Sequence, residues 1–214
     1  ISGTTLYVGG DFTGMNSQPG TKRLVKLTTD GVLDTSFSGG ISTGPNGGVY
    51  GIVIESASLV VAGDFTTYNG STSVRLARLN SSTAALDTSF STALGSGAGA
   101  TVRLLARDGS GRYVIAGDFT AVNGAVNTTR AARLTSSGAV DSTFNPGSGP
   151  DAIVRAMVLD GNGRVFMGGS FTAVNGVTLN GFARLTSAGT VDGTLASGSE
   201  ITGGGLGVRN AQPP

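Results

Sequence analysis

The chain has 214 residues, 37 of them glycine against an average usage of roughly 7%, and it contains no cysteine, histidine or tryptophan. Disulfides, thiol chemistry and imidazole-based catalysis or zinc binding are thereby excluded, and neither a metal nor a cofactor is expected. Fourteen basic residues against thirteen acidic ones leave a net charge of +1, which gives no electrostatic footprint for nucleic acid or an anionic membrane.

Hydrophobic residues make up 38% of the chain, enough to build the core of one all-β domain. Only Lys22 and Lys26 are lysine and only Glu55 and Glu200 are glutamate, so the straight-chain helix formers are scarce, while Thr, Ser, Val, Gly and Asn abound. Almost no helix is expected. The longest apolar stretches, residues 49–54 and 59–62, fall far short of the roughly 20 residues that cross a bilayer. The chain starts at Ile1 without a leader, which reads as a processed form or a piece of something longer, and its low-lysine surface suits an extracellular, cell-surface or virion location.

Taken in chain order, residues 1–37 run through an apolar segment into Gly9-Gly10-Asp11-Phe12-Thr13. They pass Asn16, reach Lys26-Leu27, turn at Asp30-Gly31 and close on Asp34 to Phe37. Residues 49–90 repeat the succession: a β-branched run, a polar turn, Ala62-Gly63-Asp64-Phe65-Thr66, Asn69-Gly70, Arg78-Leu79, then Asp87 to Phe90. Residues 101–144 give Ala116-Gly117-Asp118-Phe119-Thr120, Asn123-Gly124, Arg133-Leu134, Ser137-Gly138 and Asp141 to Phe144. Residues 153–195 give Gly168-Gly169-Ser170-Phe171-Thr172, Asn175-Gly176, Arg184-Leu185, Ala188-Gly189 and a degraded Asp192 to Leu195. Phe12, Phe65, Phe119 and Phe171 thus recur at intervals of about 53 residues, a period that signals propellers, solenoids or arrays.

Inside each repeat, Asp-Gly, Asn-Gly and other Gly-containing turns separate short β-branched runs, because Gly, Asn and Asp tolerate the positive φ that tight hairpins need. Each repeat reads as a four-stranded antiparallel meander ending at Asp-x-x-Phe. The second strand is apolar on both sides, as in Leu59-Val60-Val61 and Val165-Phe166-Met167, so it needs cover on both faces. Sheets stacked face to face about an axis supply that cover, with paired glycines beside each Phe letting neighbouring blades approach; a linear solenoid is the alternative. Residues 1–12 align without a gap onto 54–65, so the first repeat lacks most of its first strand. Gly207-Val208-Arg209, in a closing strand at about 206–211, matches Thr101-Val102-Arg103 and Ile153-Val154-Arg155. The fold expected is therefore an all-β propeller of four blades, one domain over 1–214, whose first blade is completed by the C-terminal strand of the same chain or of a neighbour.

These motifs, G-G-x-F-T-x-x-N-G, A-R-L-x-x-x-G-x-x-D-x-x-F and V-R before a D-G turn, resemble the delta-type β-propeller repeat. That repeat, of unknown function, occurs in bacterial secreted or surface proteins and in some phage virion proteins. The best copies are residues 112–144 and 164–195. The resemblance implies a propeller platform with no established catalytic mechanism. The sequence departs from the pattern at Gln18-Pro19-Gly20-Thr21, and at Ser170 and Leu195 in place of Asp and Phe.

Among candidate residues, Asp11, Asp64 and Asp118 recur once per repeat and are read as framework groups accepting backbone N–H bonds at a strand end, alongside Phe12, Phe65, Phe119 and Phe171. Asp34, Asp87, Asp141 and Asp192 recur with Lys26, Arg78, Arg133 and Arg184, which suggests turn caps and acid–base pairs. Arg103, Arg155 and Arg209 align with one another. Three guanidinium groups converging in a channel would hold a carboxylate, sulfate or phosphate, whereas pairing with acids such as Asp151 would cancel them. Asp108 and Asp160 open Gly-rich loops that read as hairpin turns rather than calcium loops. Sugar binding would rest on Tyr50, Tyr68 and Tyr113, and a hydrolase or lyase activity on the repeat-breaking acids Glu55, Asp151 and Glu200. With no His for a triad and no nucleophile elbow, the chain is expected to be a non-catalytic structural or interaction module, binding a protein partner or itself, with a glycan or small anion as the alternative ligand.

Overall fold

The computed structural model describes residues 5–194 except residue 16. Each repeat folds into its own small antiparallel sheet. The first holds β1 (Thr5–Gly9) and β2 (Leu24–Thr28), with α1 (Thr35–Gly39) following. The second comprises β3 (Val49–Ile54), β4 (Ser58–Gly63), the two-residue ribbon β5 (Thr67–Tyr68) and β6 (Ser71–Thr72), then β7 (Leu76–Asn80) and α2 (Thr88–Leu94). The third has β8 (Val102–Arg107), β9 (Tyr113–Gly117) and β10 (Ala131–Leu134). The fourth has β11 (Val154–Leu159), β12 (Val165–Gly169), the ribbon β13 (Ala173–Val174) and β14 (Val177–Thr178), and β15 (Phe182–Leu185). Three of the sheets have the order first strand, second strand, third strand, as a meander requires.

One expectation needs correction. The fourth strand is reduced to a single bridge per repeat, Leu27 to Leu33, Leu79 to Leu86, Leu134 to Val140 and Leu185 to Val191. Directly after it the Asp-x-x-Phe tetrad leaves the sheet and coils. Asp34 and Asp87 are helix N-caps, each accepting from the backbone N–H groups two and three residues on, so α1 and α2 begin where a strand would have continued. The sequence otherwise places the turns correctly: Asn69-Gly70, Asn123-Gly124 and Asn175-Gly176 all have positive φ at both residues.

The sheets stack face to face. First strands pack on first strands, β3 on β8 and β8 on β11, so these are the innermost elements, and β1, which is the second strand of its repeat, packs on β3 as β4 packs on β8. Alternation along the second strand then assigns its two faces. Leu59 and Val61 point back to Leu24 and Phe37 of the first sheet, while Val60 and Ala62 point forward to Tyr113, Ile115 and Phe90. Val114 and Ala116 point forward again to Val165 and Met167. Phe65, Phe119 and Phe171 are buried, each close to the strand end that its Gly-Asp or Gly-Ser pair forms. Among the described residues the fourth sheet is not packed extensively against the first.

Arginines that the sequence did not single out enter the third strand. Arg23, Arg75 and Arg130 each have positive φ, uncommon for a long side chain, and the fourth repeat uses Gly181 there. Arg23 and Arg130 donate forward to the carbonyls of Pro45 and Pro150, at 3.1 and 2.9 Å, in the linker that opens the next sheet.

Candidate functional site

Charge collects at two levels of the stack. The first is a rim formed by the Asp of each Asp-x-x-Phe tetrad and the base of the third strand. In every repeat one carboxylate oxygen caps the turn and the other takes the base. Lys26 lies 2.8 Å from Asp34, Arg78 2.8 Å from Asp87, Arg133 2.7 Å from Asp141 and Arg184 2.8 Å from Asp192. The acid–base pairing expected from the sequence is thus present within each sheet. What joins neighbours is a carbonyl clasp: Arg78 Nη1 donates to the Ser136 carbonyl (2.8 Å) and Arg133 Nη1 to that of Ser187 (2.6 Å). In the first sheet Lys26 occupies the arginine's position, and Tyr7 instead donates to the Ser81 carbonyl at 2.7 Å.

The second level is a belt at the start of the innermost strands. Each of β3, β8 and β11 carries a bulge, with Tyr50, Arg103 and Arg155 as the extra residue. The glycines Gly63, Gly117 and Gly169 permit it: a Cβ there would collide with the Gly48, Thr101 or Ile153 carbonyl of the same sheet. The close approach is consequently within a sheet, rather than between blades as expected, although a Cβ on Gly9 would strike Val49 of the following sheet.

The bulge decides what the repeated acids do. They were expected to accept backbone N–H bonds; instead they meet the bulged side chain. Asp118 receives Arg103 through Nε (2.9 and 3.0 Å) and Nη2 (2.6 Å). Asp11 and Asp64 share the Tyr50 hydroxyl, 3.1 Å from each, and one hydroxyl proton satisfies only one of them. Burial, then hydrogen bonds to Asp64 and Asp11, push the Tyr50 hydroxyl up to about 12. The second oxygen of Asp64 is buried without a hydrogen-bond partner. In the fourth sheet Ser170 replaces the acid, and Arg155 Nε donates to its Oγ at 3.0 Å.

No three-arginine cluster forms among the described residues, because Arg103 turns to its own Asp118; Arg209 lies outside them, as do Asn16, Leu195, Glu200 and the expected closing strand at 206–211. Asp151 does not neutralise Arg155. It accepts from the backbone of Thr172 and Ala173 at 2.8 and 3.1 Å. Asp108 and Asp160 likewise hold their own hairpins, bonding the backbone two and four residues on and pairing with Arg112 and Arg164.

The repeat-breaking acids are not gathered. Glu55 lies at the joint of the second and third sheets, in a cleft of about 430 Å³ with Ser58, Arg78, Arg107, Tyr113 and Ser136. It accepts from Tyr113 at 2.6 Å and pairs with Arg107 at 3.1 Å. Burial opposes its ionisation, but hydrogen bonds from Ser58 and Tyr113 and the Arg107 charge outweigh that and hold the carboxyl below its ordinary value. The sequence carried one signal for this network: Tyr113 stands where the other repeats have Leu59 and Val165. Of the proposed sugar-stacking tyrosines, Tyr68 and Tyr113 are fully buried, and only Tyr50, 40% exposed, reaches solvent.

Comparison with known proteins agrees with this internal order. A family model described as a domain of unknown function (DUF5122) beta-propeller matches residues 5–37, 58–90, 109–144 and 161–194. No curated protein matches the chain. Among solved structures, the computationally designed Ika8 protein is similar in fold, with a TM-score of 0.54 and 11% identity. The alignment covers 89% of this chain and 46% of the designed one, so this chain spans a little under half the length of that relative.

Proposed function

This chain belongs to the DUF5122 β-propeller family, and from that membership we propose that it is a non-catalytic scaffold, a structural or interaction module whose stacked sheets are propeller blades. The observation that carries the reading is the fate of its charges. Every rim acid is spent on a cap and a base of its own repeat, and the rim arginines of the second and third sheets clasp the next sheet as well. Such rim groups fix geometry, each carboxylate already committed to a cap and a base and so not free for proton transfer. The partner is a protein, contacted through loops or sheet edges, and the setting an extracellular, cell-surface, filament or virion assembly. Residues 206–211 are the segment proposed to supply the first strand of the first blade, in the same chain or a neighbouring one. Affinity capture and electron microscopy of native assemblies test the reading: ordered incorporation into a larger structure is expected, and a chain with no macromolecular partner overturns it.

A second reading, a small-anion site, is favoured by one substitution. Ser170 removes the carboxylate that its counterpart Asp118 offers to Arg103, so Arg155 keeps a guanidinium edge for a carboxylate, sulfate or phosphate. Titration calorimetry with these anions, on the parent and on Arg155→Gln, tests it; equal binding by both ends it.

A further inference from the structure

The stack has two ends, and they are not alike. At the joints of the second sheet with the third and of the third with the fourth, the forward face of one sheet meets the backward face of the next and both are sealed, whereas at the joint of the first with the second Tyr7 is only partly buried. Val60, Ala62 and Ala116 are 0% exposed and Val114 2%; opposite them Tyr113, Ile115, Val165 and Met167 are all 0%. The corresponding forward face of the fourth sheet carries Phe166 and Phe182, both only partly buried, with their rings 6.5 Å apart. The backward face of the first sheet carries Leu6 and Val8, also partly buried.

The polar clasp ends in the same incomplete way. Arg184 occupies the position of Arg78 and Arg133 and makes their bond to the rim acid, yet among the described residues its Nη1 has no carbonyl acceptor. The position matching Ser81, Ser136 and Ser187 in the first sheet is Thr29, whose carbonyl accepts no described hydrogen bond. The fourth sheet therefore presents a donor and two aromatic rings, and the first presents an acceptor and two aliphatic side chains. This is the chemistry of the joints already made within the chain.

Building on the scaffold reading, we infer that a second copy of this chain docks across these two faces. The forward face of the fourth sheet in one copy seats the backward face of the first sheet in the other, and the reverse. The fourth sheet is not packed extensively against the first among the described residues, so the two faces are not spent on each other. Each joint is heterologous, and two of them related by a twofold axis close the assembly.

Multi-angle light scattering of the purified full chain tests this. The expected mass is about twice the 21.1 kDa of one chain. Phe166→Glu and Leu6→Glu each place a charge at a joint and are expected to give monomers with the circular dichroism of the parent. Mixing the two variants is the decisive arm: a mixed pair retains one joint built from two parental faces, so association returns at least tenfold more strongly than for either variant alone. A parent chain that stays monomeric, a ladder of masses in place of one doubled mass, or variants that remain dimeric overturns the inference. A monomer that still enters native assemblies removes the pairing and leaves the scaffold reading standing.

Discussion

The rim and the belt lie on different strands of the same sheets and treat charge in opposite ways. At the rim four repeats solve one electrostatic problem identically, with a base on the third strand and an acid that also caps a turn. At the belt the solution changes from sheet to sheet: a phenol between two carboxylates, a bidentate ion pair, then an arginine against a serine. Identical repetition marks what the fold needs in order to stack. Divergence marks where stacking is indifferent to chemistry and other demands are free to act.

The contrast breaks most visibly if a rim pair proves dispensable. Arg133 is 3% exposed and binds Asp141, Thr143 and the Ser187 carbonyl. Arg133→Ala removes the close partner of a buried carboxylate, leaving it only Arg112 at 3.8 Å, and is expected to cost about 3 kcal/mol in urea unfolding. A loss below about 1 kcal/mol would make the rim as indifferent as the belt. Next in size is Gly63→Ala, whose Cβ would collide with the Gly48 carbonyl; about 1–3 kcal/mol is expected from overpacking. That result would show the belt's backbone to be fixed even where its charges are not.

Acid sharpens the comparison. The hydrogen bond from Ser89 first, then Arg78 and the capped backbone, hold Asp87 down to about 2 against burial, and the Lys26 hydrogen bond leads in lowering Asp34. At Asp141 burial raises the pKa, but Thr143 and Arg133 outweigh it. Groups whose folded pKa is depressed stabilise above the unfolded value of 3.8, and the contribution disappears as pH falls from there toward about 2. Thermal melts monitored by circular dichroism should show the melting temperature falling through that window. An Asp87→Asn chain, which retains a capping oxygen, should lose less over the same range. Smallest of all are the belt charges. Arg103 is 47% exposed in its pair with Asp118, so Arg103→Gln should change stability by no more than about 1 kcal/mol. Tyr50→Phe should stay within about 0.5 kcal/mol.

Much of this was legible in the chain. The Asn-Gly turns adopt the positive φ that their residues favour, the recurring Asp and Arg or Lys find each other, and the second strand is buried on both sides as its unbroken apolar run demands. The turn caps expected at Asp-x-x-Phe are present, as helix N-caps at Asp34 and Asp87, while the fourth strand expected before them shrinks to one bridge per repeat. The belt was not legible. Aligning Tyr50 with Arg103 and Arg155 shows that they share a position, but only the bulge turns each side chain toward the Asp or Ser before the phenylalanine.

The sequence by itself determined the number of repeats, their turns and the pairing of rim charges, because each depends on residues close in the chain or on a period that copies one local solution. Tertiary structure alone decided which carboxylates share a proton donor, which glycines guard a carbonyl rather than a neighbouring sheet, and which faces stay uncovered at the ends. Those outcomes depend on distances between separate segments, 14 and 39 residues apart for Tyr50 and its two carboxylates, set by where strands bulge and how sheets lean on one another, and no local preference encodes them.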